Sequence, residues 1–226
     1  MATKIVITSD YLCPWCFIGQ DRLFKAIDAM GPRFSAELEW HPYELNPEMP
    51  ETGMDRKQYR SGKFGWEKSL MLDSQVTAVG KQDGLTFDYA NVLRAPNTRM
   101  AHRLTEFAHA VGKAREFSTA VFEAYFSLGK DIGDREVLLD IAKDVGIDRN
   151  EAVAFLDNNG GLESVRNAQK AAVFAGVRGV PNFLIGNDAI EGAQSVVLLE
   201  GALRAAVAEG AQGSAEAGVS SSQCGT

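Results

Sequence analysis

The sequence predicts an α/β fold in which one small sheet-containing domain is split by a large all-helical insertion. Three observations carry this. The pattern reads strand, helix, strand up to about residue 45; helical spacing then dominates from about Arg56 to Gly176; strand signals return only near Gly179, ahead of one last helix. With 226 residues the chain is long enough for a sizeable core, as one large domain or one domain with an insertion.

Lys4 to Thr8 reads as a buried strand, and from Cys16 onward Phe17, Gln20, Leu23, Phe24, Ile27 and Met30 recur at helical spacing until Gly31-Pro32 ends the element. Phe34, Ala36, Leu38 and Trp40 alternate with Ser35, Glu37, Glu39 and His41, the period of a half-buried strand. Together these make a βαβ unit. Asn46-Pro47-Glu48-Met49-Pro50 is a turn-rich connection into the insertion, where little looks like a strand. One helix begins near Asn97 and carries Ala101, Leu104, Ala108 and Val111; Phe117, Val121, Phe122 and Tyr125 mark the next. Asp134 is placed to cap a third, with Gly146 just past its end, and Asp148 with Glu151 has the spacing of a capping box. Leu162, Val165, Ala172 and Val173 supply one more.

Gly179-Val180-Pro181 then leads into Phe183-Leu184-Ile185, and Gly186-Asn187-Asp188 turns into a short return strand at Ala189-Ile190. Ser195 is placed to cap a final helix holding Leu198, Leu199, Ala202, Leu203 and Val207. From Gly210 the composition is Gly, Ala and Ser with almost no apolar bulk, which predicts a flexible tail over 210–226. The expected division is therefore 1–45 with 177–209 as the α/β domain, 46–176 as the helical insertion, and the tail.

Composition narrows the function. The chain is 45% hydrophobic and 23% charged, and no apolar run approaches the roughly 18 to 20 residues of a membrane helix, so no membrane association is expected. Its net charge is −7 and its basic residues are scattered rather than striped, which argues against nucleic acid. The residues before Cys13 read as a strand rather than an export signal, so a cytoplasmic location is expected. Three cysteines make no disulfide framework, and in a reducing compartment a CxxC pair is catalytic or metal-binding before it is structural.

That pair is Cys13-Pro14-Trp15-Cys16, set at a strand-to-helix corner. A helix N-terminus carries roughly half a positive charge, which favours a thiolate, the form of cysteine that attacks disulfides. The first cysteine of such a pair lies outside the first turn, in reach of substrate; the fourth residue packs against its own helix. Cys13 is accordingly the expected nucleophile and Cys16 the resolving thiol. Pro14 suits the first helical positions and stiffens the corner, and Trp15 adds no charge, so both tune rather than react. The uncharged pair predicts a moderate rather than extreme oxidant. No second cysteine pair or Cys/His cluster completes a zinc site, and no metal is expected.

The segment Asp10-Tyr11-Leu12-Cys13-Pro14-Trp15-Cys16-Phe17-Ile18-Gly19 resembles the active-site corner of the DsbA-like thioredoxin superfamily, in particular its FrnE-like branch of dithiol-disulfide isomerases. Glu44-Leu45-Asn46-Pro47, Gly176-Val177-Arg178-Gly179-Val180-Pro181 and Glu191-Gly192-Ala193-Gln194 extend the resemblance over about residues 3 to 209. It implies a thioredoxin-like fold interrupted by the helical insertion. It also implies that Val180-Pro181 is the cis-proline loop facing the dithiol, where backbone beside the proline pairs with substrate. Asn97-Thr98 would border the cleft and hold a glutathione or peptide group, although capping explains Asn97 equally well. Relatives in the superfamily include kappa-class glutathione transferases and 2-hydroxychromene-2-carboxylate isomerases, which typically carry serine where Cys13 stands. FrnE-like relatives often carry a second cysteine pair towards the C-terminus. Here Cys224 stands alone, as a candidate auxiliary thiol or an incidental one.

His41, alternating with Glu37 and Glu39, reads as part of a solvated strand face; His102 and His109 share one helical face and read as surface residues. The expected activity is protein dithiol-disulfide oxidoreductase or isomerase, acting on protein or small-molecule thiols and disulfides, with no bound cofactor and with glutathione as a candidate co-substrate. The alternatives are a glutathione-dependent isomerase or transferase and a chaperone-like polypeptide-binding module. A homodimer is compatible with the apolar helical roof.

Overall fold

The computed structural model describes residues 2–219. β1 (Thr3–Ser9) leads through a short corner into α1 (Pro14–Ala29) and back into β2 (Ala36–Pro42), which pairs parallel with β1 from Thr3 opposite Ala36 to Ser9 opposite Pro42. A parallel pair needs a crossover, and α1 provides it. β1 is buried over its last five residues, as a strand covered on both faces must be, whereas β2 is half-exposed at the sheet edge.

The insertion contributes β3 (Met54–Asp55), α2 (Arg56–Phe64), α3 (Trp66–Gln82), β4 (Arg94–Ala95), α4 (Arg99–Ala110), α5 (Ala114–Phe126), α6 (Arg135–Asp144), α7 (Arg149–Asp157) and α8 (Leu162–Phe174). It is not entirely helical. β3 and β4 form a two-residue antiparallel ladder, Met54 opposite Ala95 and Asp55 opposite Arg94, too short to leave a period in the sequence. Asp134 accepts from the N–H groups of Glu136 and Val137, and Asp148 from those of Asn150 and Glu151, so both cap their helices as their positions predict.

β5 (Asn182–Ile185) and β6 (Asp188–Glu191) form the returning hairpin, turned at Gly186 with φ of 60°, and α9 runs over Val196–Val219. The sheet order is β2-β1-β5-β6, with β5 antiparallel to β1. Ser195 accepts from Leu198 N–H at the start of α9. The helix passes 210, where the composition predicts that a tail begins. Ala211, Ala215 and Ala217 are strong helix formers, and helix can persist through Gly210, Gly213 and Gly218 at about 1 kcal/mol each. Cys224 lies outside the described residues.

α1 is the seam between two cores. Its Leu23, Phe24 and Ala26 face Ile5, Ile7, Phe183 and Ile185 of the sheet together with Leu199 and Leu203 of α9. Its Phe17 enters the insertion, stacked on Phe122 and Phe126 at ring-centroid distances of 5.4 and 6.2 Å. Fully burying aromatic and aliphatic side chains on both faces, each worth roughly 1.5–3 kcal/mol, fixes the start of α1, and so the dithiol corner, against both layers.

Candidate dithiol site

The corner is built by backbone. Cys13 N–H donates to the Asp10 carbonyl at 3.0 Å, and Cys16 N–H donates to the Cys13 carbonyl at 3.0 Å. Cys13 occupies the N-cap of α1, Pro14 takes the first helical position, and no acidic residue sits in the first turn. The positive end of the helix is thus directed at Cys13 without a competing carboxylate in that turn. Both thiols are unbridged. Cys16 is 1% exposed, as a residue packed against its own helix must be; Cys13 is only 7% exposed, more covered than its corner position predicts, because the insertion closes over it. Burial pushes the Cys16 thiol well up, reinforced by the neighbouring Cys13 sulfur; bonds from Asp10 N–H and the Ser9 side chain pull more weakly the other way.

The Cys13 thiol donates to the Val180 carbonyl at 3.6 Å, and the Val180–Pro181 peptide bond is cis. Pro181 is held from behind. A Cβ at Gly19 of α1 would stand 2.8 Å from Pro181 Cγ and 3.2 Å from Phe183 Cζ, so helix and loop touch where only glycine fits. Gly19→Val is expected to destabilise the protein by about 1–3 kcal/mol through overpacking, read as a lower urea midpoint at unchanged slope.

Cys13 opens on a cavity of about 180 Å³ together with Leu12, Pro14, Trp15 and Leu45 on one side, and α2 and α3 on the other. α2 contributes Arg56, Tyr59, Arg60, Lys63 and Phe64. Asp73 of α3 accepts from Arg56 at 2.6 Å and from Arg60 at 2.9 Å, so both guanidinium groups are committed to one carboxylate. The Arg56 guanidinium lies 4.7 Å from the Tyr89 ring centroid, and that of Arg60 lies 4.9 Å from Phe64. Lys63 donates to the Tyr59 hydroxyl at 3.0 Å. The Tyr89 hydroxyl and Arg60 Nε are buried without a hydrogen-bond partner among the described residues, and burial raises the Tyr89 phenol, so it remains a neutral donor. The wall suits an extended or aromatic group bearing a carboxylate. Sequence alone does not mark these residues as a cleft wall. The readable signal is Arg56, Arg60 and Lys63 at i, i+4 and i+7, one face of a helix interleaved with Tyr59 and Phe64.

Asn97 and Thr98 do not line this cavity. The Asn97 amide donates to the Met49 carbonyl at 2.7 Å and its carbonyl accepts from Arg99 N–H at 3.0 Å, while Thr98 is the N-cap of α4 without a side-chain bond. Asn97 ties the start of α4 to the 46–50 connection. His41 is half-exposed on β2, paired with Glu39 at 2.7 Å, and His109 is exposed on α4 with its ring 6.3 Å from Trp40. His102 is not a surface residue: it is 6% exposed, with Nε2 3.4 Å from Asp10 Oδ1 and its ring against Tyr11. Its helical face is covered by the dithiol corner, a long-range contact that spacing within one helix cannot reveal. No group of three or more His, Cys, Asp or Glu side chains is arranged to hold a metal among the described residues. No described helix is long and apolar enough to cross a membrane.

Comparison with known proteins agrees with this geometry. The model of the DSBA-like thioredoxin domain matches residues 4–204. The Bacillus subtilis protein YwbO is 31% identical over 204 residues, covering 90% of this chain and 96% of its own. The 2-hydroxychromene-2-carboxylate isomerase of Sphingobium xenophagum is 24% identical over 209 residues, 88% of this chain and 100% of its own. Among solved structures, a probable DsbA oxidoreductase from Streptomyces coelicolor superposes with a TM-score of 0.82 at 26% identity, over 92% of this chain and 91% of that one.

Proposed function

Because the chain belongs to the DsbA-like thioredoxin family, we propose that it is a thiol-disulfide oxidoreductase or isomerase in which Cys13 is the nucleophile and Cys16 the resolving thiol. The observation that carries this is the asymmetry of the pair. Cys13 lines the cleft at the positive end of α1, whereas Cys16 is enclosed and absent from that lining. The Cys13 thiolate attacks one sulfur of a substrate disulfide and expels the other as a thiolate. Cys16 then attacks Cys13 of the mixed disulfide, forming the Cys13–Cys16 bond and releasing the second substrate thiolate. Two electrons pass from the dithiol to the substrate, and the reverse sequence oxidises a substrate dithiol.

The backbone of Val180, adjacent to the Cys13 sulfur, positions an extended substrate. Residues 1–45 and 177–209 supply the thiol chemistry, and the helices of 46–176 roof the cleft. Glutathione suits the role of electron donor, with a carboxylate reaching Lys63 at the mouth, and no bound prosthetic group is needed. A dithiol that cycles through reduction fits a cytoplasmic location. Expression of Cys16→Ser in cells tests the reading: protein partners are expected as mixed disulfides on Cys13, released by reductant. Recovery of none, although Cys13 alkylates readily, counts against protein substrates.

A second reading is supported by one observation, the cleft wall of Tyr59, Phe64 and Tyr89 with basic groups among them, which suits a small aromatic carboxylate. On that reading the protein is a glutathione-dependent isomerase, and the Cys13 sulfur is dispensable.

A further inference from the structure

The two thiols face different spaces. Cys13 lines the cleft under α2 and α3, while the polar groups that act on the Cys16 thiol include Cys13, Asp10 N–H and the Ser9 side chain. Ser9 is the last residue of β1 and lines a second cavity of about 360 Å³ at the carboxyl ends of β1 and β2, with His102 on the same wall. That volume and its polar lining leave room for water. The His102 side chain contacts Asp10 Oδ1 through Nε2 at 3.4 Å, while its backbone N–H donates to the Thr98 carbonyl within α4. Asp10 is 1% exposed and fixed on both oxygens: Oδ1 also accepts from Leu12 N–H at 3.3 Å, and Oδ2 from Leu45 N–H at 2.7 Å.

Resolution of a mixed disulfide leaves one proton to place. The bond between Cys13 and the substrate sulfur breaks, the Cys13–Cys16 bond forms, and the substrate departs as a thiolate with the electron pair; the Cys16 proton must go elsewhere. We infer that it leaves through the back of the corner, by way of the Ser9 hydroxyl and across the rear cavity to His102, which the fixed Asp10 carboxylate holds as the resulting imidazolium. His102 is then a positioning residue of the resolving step, and this role rests on the dithiol reading above. A proton acceptor on the cleft side would instead be displaced or shielded whenever substrate fills the cleft. The titratable groups around His102 are Asp10 and Tyr11 from the corner, Glu39 and His41 from β2, and Glu106 and His109 from α4; α5 and α8 present only uncharged side chains there. Glu39 and His41 are bonded to each other at 2.7 Å, and Asp10 takes His102 alone among the histidines.

The test is stopped-flow reaction of the reduced protein with glutathione disulfide across a pH series. Formation of the Cys13 mixed disulfide is followed in the Cys16→Ser background and its resolution with Cys16 present. His102→Gln keeps an amide donor for Asp10 but cannot hold the proton. At neutral pH it is expected to slow resolution about tenfold to a hundredfold, with the deficit closing as pH rises and bulk base takes over. Ser9→Ala is expected to show the same pH-dependent deficit, smaller in size, and carries the test alone if His102→Gln does not fold. Unchanged resolution in the variants, a loss independent of pH, or an equal loss in mixed-disulfide formation would overturn the inference. If the wild type forms no mixed disulfide at Cys13, the dithiol reading itself fails and takes the relay with it.

Discussion

Cys13→Ser is expected to lower the rate of protein-disulfide reduction about a thousandfold or more while leaving the fold intact. A serine hydroxyl is not ionised near neutral pH, and only the thiolate attacks a disulfide. Serine is nearly isosteric with cysteine, and the Cys13 sulfur makes only weak polar contacts, to the Val180 carbonyl at 3.6 Å and to the Cys16 thiol, so little packing is lost. The measurement is insulin reduction with glutathione as the donor, beside a thermal melt. The same variant separates the two readings of the cleft: retained glutathione-dependent turnover of a small aromatic substrate with no disulfide reduction would favour the isomerase.

Asp73→Ala is expected to cost about 3–5 kcal/mol of unfolding free energy, a large share of the roughly 5–15 kcal/mol of a typical domain. Among the described residues Asp73 is the one carboxylate paired with both Arg56 and Arg60, whose side chains are 9% and 16% exposed, so its removal strands two nearly enclosed cations against Tyr89 and Phe64. Replacing the pair by apolar groups of similar shape is far less costly than leaving a charge unpaired. The triple variant Asp73→Leu with Arg56→Met and Arg60→Met, which leaves neither cation stranded, should therefore recover much of the loss in urea denaturation. A cost below about 1 kcal/mol for Asp73→Ala would show that the two guanidinium groups reach water without help and that the cleft wall is open to solvent there.

The parts of this molecule legible in sequence are those that local chemistry specifies. The corner follows from an apolar strand, a CxxC and a proline suited to the first helical position; Asp134, Asp148 and Ser195 announce their helices because capping is a contact within a few residues. What could not be read depends on distant contacts. His102 is buried because Asp10, 92 residues earlier, lies against it, and nothing in the sequence around it reports that. The basic wall of the cleft is hidden for the same reason: Arg56, Arg60 and Lys63 match an ordinary solvated helix face until α3 brings Asp73 against the first two. The covering of Cys13 and the displacement of Asn97 from the cleft lining likewise arise from how the insertion folds back.

Site-resolved mass spectrometry of Cys16→Ser after brief reaction with glutathione disulfide tests whether Cys13 is the attacking thiol. A single glutathione adduct on Cys13 is expected, formed rapidly and displaced by added dithiol. An unmodified Cys13, or an adduct confined to Cys224, would contradict it.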